Sequence, residues 1–90
     1  MEIKEKIIEI IQSLNEDFDP AEEADIIEDG ILDSFDIVNF IIEADEAFGV
    51  KIGVEEIVPE NFSNVESIKK LIERLKNNWL WFYLRKISLF

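Results

Sequence analysis

An all-α fold, a small four-helix bundle with a short third helix, is predicted by three observations on this 90-residue chain. Apolar residues recur at steps of three and four in separate stretches. Candidate caps and Gly or Pro breaks divide those stretches. The length fits one modest hydrophobic core, and 48% hydrophobic residues supply enough apolar surface to offset part of the chain entropy of folding.

From Glu2 to Leu14, Ile3, Ile7, Ile10, Ile11 and Leu14 mark one face of the first helix. Its β-branched isoleucines are weak helix formers, so packing must hold it. From Asn15 to Leu32 the pattern dissolves into an acidic connection broken by Pro20 and closed by Gly30. Loops this long in small domains are usually functional or pinned by their own side chains, here Phe18, Ile26, Ile27, Ile31 and Leu32.

Asp33 or Ser34 caps the second helix, which runs to about Phe48 and stops at Gly49. Phe35, Val38, Ile41, Ile42 and Asp45 lie near one another by helical spacing, while Ile37, Phe40, Ala44, Ala47 and Phe48 add further apolar surface. Such girth predicts a central helix buried on more than one side. Val54 to Phe62 allows one or two short helical turns, counted as the short third helix, with Pro59 suited to a first-turn position. Ser63 or Asn64 caps the fourth, whose stripe is Val65, Ile68, Leu71, Ile72 and Leu75.

Composition changes abruptly at Trp79. Residues 79–90 hold both Trp, the only Tyr and no acid. We therefore divide the chain into a domain over 1–78 and an apolar aromatic extension over 79–90, expected to be helical. The stretch Leu80 to Leu84 is apolar around its whole circumference and needs a surface to cover it. Helical homodimer packing or back-folding is favoured over contact with a lipid interface, because the rest of the chain carries the wrong charge for anionic lipid.

Net charge is −12, from 9 Lys and Arg against 21 Asp and Glu, which repels phosphate backbones and attracts basic protein surfaces. Nucleic acid is excluded as a partner on that ground. The chain has no His and no Cys, which removes thiol catalysis, disulfides, imidazole bases and the usual zinc sites. Its acidic runs lack the ordered ligand positions of a calcium loop. Its start lacks a secretory pattern and no apolar run approaches a membrane span, so a cytoplasmic protein is expected.

Ser34, in Gly30-Ile31-Leu32-Asp33-Ser34-Phe35-Asp36, stands at the mouth of the second helix. Without a His it lacks a base to make it a hydrolase nucleophile, and it sits in no Gly-x-Ser-x-Gly elbow. The fitting chemistry is passive: another enzyme modifies the hydroxyl.

Asp33-Ser34-Phe35-Asp36, followed by Val38 and by Glu43, Asp45 and Glu46, resembles the Asp-Ser-Leu motif and recognition helix of acyl and peptidyl carrier proteins. The similarity covers roughly residues 2 to 76, and Gly30 to Phe35 with Val58 to Asn64 look most like D-alanyl carrier proteins and stand-alone peptide-assembly carriers. Phe35 replaces the usual Leu, and Asn39 sits where many fatty-acid carriers have an acid.

The resemblance implies a non-catalytic carrier whose Ser34 receives covalent phosphopantetheine from coenzyme A through a phosphopantetheinyl transferase. It would present an acyl or aminoacyl thioester to loading (acyl- or aminoacyl-adenylating) and acyl-accepting enzymes. Asp33, Phe35, Asp36, Val38, Ile42 and Glu46 would form the recognition surface, and there would be no metal site. Val38, Ile41, Ile42 and Phe62 are read first as core, with lining of an acyl cleft as the second role. The alternative is an acidic helical interaction module with no prosthetic group, binding or dimerising through residues 79–90.

Overall fold

The computed structural model describes residues 2–22 and 25–88, with side chains through residue 77. The chain is all-α: three α-helices, α1 (Ile3–Leu14), α2 (Ser34–Phe48) and α3 (Val65–Ser88), with no strand among the described residues. α1 packs against both α2 and α3. Each helix turns its apolar stripe inward: Ile7, Ile10 and Ile11 from α1, Ile37, Phe40 and Ala44 from α2, and Ile68, Leu71 and Ile72 from α3. At the centre Phe40 and Phe62, both fully buried, meet edge to face with ring centroids 6.1 Å apart. That arrangement sets the positive edge of one ring against the negative face of the other.

The one or two short helical turns expected as the third helix are two three-residue 3-10 turns, Val54–Glu56 and Pro59–Asn61, the second opening on Pro59, and they do not join into one α-helix. The reason is local. Pro59 disfavours helical backbone at the preceding residue, and Val58 is extended with φ −126° and ψ 150°. The helical run therefore breaks in the middle, and the pieces are held by side chains. Asn61 Nδ2 donates to the Glu56 carbonyl at 2.8 Å, and Arg74 of α3 donates to Glu56 Oε2 at 2.6 Å. Asp45 Oδ1 accepts from Ile52 N–H at 3.0 Å, which ties the chain leaving α2 back to its last turn.

The long acidic connection is pinned as expected by Phe18, Ile26 and Leu32, all buried, with Ile27 and Ile31 packed against the core. Backbone bonds complete the fastening: Ile26 N–H donates to Ser63 O at 2.8 Å, and Leu32 N–H to Ile26 O at 3.1 Å. Asn15 Nδ2 donates to Ile31 O at 3.0 Å from the end of α1. Asp25 Oδ1 accepts from Ile27 and Glu28 N–H, while Asp25 N–H donates to Asp29 Oδ2 at 2.7 Å. These carboxylates are spent on loop geometry, in keeping with the preference of Asp for such local bonds.

Two glycines have positive φ, Gly30 at 72° and Gly49 at 65°. This region is strained for residues with a Cβ, so both chain reversals, before and after α2, depend on them. The expected packing of the side chains in 79–90, by dimerisation, back-folding or lipid contact, lies outside the described residues. Among the described residues no helix is long and apolar enough to cross a membrane.

Candidate functional site

α2 begins at Ser34 because Asp33 caps it. Asp33 is extended, with ψ −176°, and its Oδ1 accepts from Asp36 N–H at 2.8 Å. The Asp36 carboxylate reaches back to Asp33 N–H at 3.4 Å, which closes a reciprocal capping box. Of the two caps the sequence allowed, Asp33 takes the role. Ser34 is left as the first helical residue, exposed, and its hydroxyl makes no hydrogen bond to another described residue.

What holds Ser34 at the surface is the pair of anchors around it. Leu32, two residues before, and Ile37, three residues after, are both buried. With Ile26–Leu32 and Asn15–Ile31 hydrogen bonds behind them, the backbone approaching Ser34 is fixed from both sides. The capping carboxylate occupies only the Asp36 N–H, and the N–H groups of the first helical turn have no intrahelical acceptors. A helix start of this kind favours a negative group on its first residues. An exposed hydroxyl there fits a phosphodiester.

The other sequence-derived recognition residues fall into two groups. Asp33 and Asp36 are engaged with each other in the cap. Phe35, Val38 and Ile42 are exposed, at 74%, 55% and 56%, and their spacing of three and four makes one apolar row along the outside of α2. Glu46, also exposed, continues the row one turn further. The core assignment for Val38 and Ile42 is thus corrected, while Phe62 is core and Ile41 packs against it. α2 is apolar on two sides, and the inner one is filled by Ile37, Phe40 and Ala44.

An acidic rim accompanies the row. Glu43 and Glu46 line a groove between α2 and α1 together with Lys6, Glu9 and Ser13, and Ser13 Oγ lies 3.4 Å from Glu43 Oε2. Asp45 is not part of this rim, being committed to Ile52 N–H. Sequence reasoning did not single out Val54 and Ile57, exposed at 83% and 38% around the first 3-10 turn. A three-residue turn has no period long enough to reveal which of its apolar residues face outward.

No family model matches the chain. It is similar to D-alanyl carrier proteins of streptococci: those of Streptococcus sanguinis and Streptococcus uberis are 31% identical to it and that of Streptococcus gordonii 30%. Each match runs over 78 residues, 86% of this chain and 99% of the relative.

Proposed function

The chain belongs to the acyl and peptidyl carrier protein family, and from that premise we propose that Ser34 carries a phosphopantetheine arm on which a D-alanyl or similarly small aminoacyl group is held. The observation that carries this reading is the placement of Ser34 as the exposed first residue of a capped helix. Ser34 Oγ would be the attachment atom, with the first-turn N–H groups beside its phosphate. When attached, the arm supplies a terminal thiol that holds the cargo as a thioester.

The rest of the chain positions and presents. Asp33 and Asp36 hold the helix start, and their charges meet basic residues of the transferase. Phe35, Val38 and Ile42 offer apolar contact, and Glu43 and Glu46 offer charge for partners that must bind in turn and leave. Acidic rims give steering without a large interface, which suits brief encounters with loading and accepting enzymes. Phe35 is bulkier than the Leu usual in the family, so enzymes that seat this carrier need a wider apolar recess at that point.

The small-cargo reading comes from the names of the relatives and from the core. Phe40 and Phe62 fill the bundle centre, so a short aminoacyl group can ride outside without displacing either ring, whereas a long acyl chain sheltered in the core would have to displace one. Loading the pantetheinylated chain with a D-alanine-activating enzyme and ATP tests this. Intact mass should show one alanyl group that hydroxylamine removes. Efficient loading of long acyl groups in place of D-alanine would overturn the cargo assignment.

A further inference from the structure

We infer that residues 79–90 of one copy of this chain dock on the outer face of α2 of a second copy, covering Phe35, Val38 and Ile42. Two surfaces in this sequence need a partner, and they match in chemistry. One is the exposed row Phe35, Val38 and Ile42, bordered by Glu43 and Glu46. The other is the segment 79–90, nine of whose twelve residues are apolar and whose only charges are Arg85 and Lys86.

Charge selects the match. The chain is −14 over residues 1–78 and +2 over 79–90, so the extension is attracted to the body of any copy and repelled by none of its acids. An anionic lipid surface offers the extension the same attraction but repels the fourteen net negative charges beside it. An apolar segment with two cations laid on an apolar row with an acidic rim satisfies both terms at once.

Geometry selects a second copy. Trp79 to Leu84 are six consecutive apolar residues on the unbroken helix α3, which carries them onward in its own line and not back across the outer face of α2 of the same chain. The streptococcal relatives are matched over 99% of their length by 78 residues of this 90-residue chain. Exchange of the segment between two copies covers both exposed rows and closes with two-fold symmetry. Because the covered row begins next to Ser34, the dimer competes with enzymes that read α2; this consequence alone rests on the carrier reading.

Both tryptophans lie in the segment, so indole N–H signals report on it alone, and the absence of Cys makes an introduced thiol unique. A spin label on Glu46→Cys, in unlabelled protein mixed with 15N-labelled wild type, should broaden the Trp79 and Trp81 indole signals. A label on Ser88→Cys should broaden the amides of 35–46 in the wild-type copy. Sedimentation should show a dimer that Arg85→Glu with Lys86→Glu weakens at least fivefold. Adding Glu43→Lys and Glu46→Lys should restore it, whereas the same reversal at Glu22 and Glu28 should not. A monomer at all concentrations, broadening from the Ser88 label confined to 79–90, or binding to anionic vesicles with no intermolecular broadening would each overturn the inference. None of these readouts requires phosphopantetheine.

Discussion

Asp33 and Asp36 clasp each other across the first turn of α2, Asp33 Oδ1 accepting from Asp36 N–H at 2.8 Å and Asp36 Oδ2 from Asp33 N–H at 3.4 Å. Two like charges are held close because each satisfies a backbone donor that the helix cannot. The clasp sets where the helix starts and so puts Ser34 at its first position.

Asp33→Ala therefore removes the cap. The expected loss is about 1 kcal/mol of stability in urea denaturation, and Asp33→Asn, which keeps an acceptor oxygen, should lose much less. A loss with Asn equal to that with Ala would mean that charge, and not the hydrogen bond, stabilises the turn.

Phe40 is fully buried against Phe62, and Phe40→Ala should cost about 3–5 kcal/mol. In a domain this small that is a large part of the total stability. Phe35→Ala, at a site 74% exposed, should shift stability by no more than about 0.5 kcal/mol. Thermal melts of the two variants separate core from surface directly. Phe35→Leu should also be modified faster than wild type by transferases adapted to Leu at this position, with unchanged melting.

This contrast shows how far the sequence was readable. The three-four spacing located α1, α2 and α3 because each has an apolar stripe that only a helix brings together. On α2 the same spacing produced two apolar sides, and spacing cannot say which meets the core. Burial of Ile37, Phe40 and Ala44 settles it, and Val38 and Ile42 turn out to face solvent. The third helix was legible only as one or two short turns without firm limits, because Val54 to Phe62 has apolar content without enough length to establish a period, and Pro59 divides it. Ser34 was legible because its neighbours form a local motif. The ties from Asn15 to Ile31, Ile26 to Ser63 and Arg74 to Glu56 join residues 16 or more apart, and no local pattern announces them.

Gly49 closes α2 with φ 65°, its N–H donating to Asp45 O at 3.0 Å. A Cβ there meets open space, so the cost of Gly49→Ala is backbone strain alone, about 1 kcal/mol. Denaturant midpoints should fall with an unchanged slope; a neutral substitution would show that the chain reversal is not held at this φ.

Arg74 reaches Glu56 from α3 while remaining half exposed, so Arg74→Met should change global stability by less than about 1 kcal/mol. Its effect should be local. Hydrogen exchange should quicken in residues 54–62, which the pair fastens to α3, and stay unchanged in α1. Uniform acceleration across the chain would contradict the fastening role.

The identity of Ser34 as the attachment point is tested most directly by mass. The unmodified chain is incubated with coenzyme A and a promiscuous phosphopantetheinyl transferase, and intact and peptide masses are recorded beside those of a folded Ser34→Ala chain. One phosphopantetheinyl group per wild-type chain is expected, on the peptide that contains Ser34, and none on the variant. No addition to the folded wild type, or addition that persists in Ser34→Ala, would contradict it.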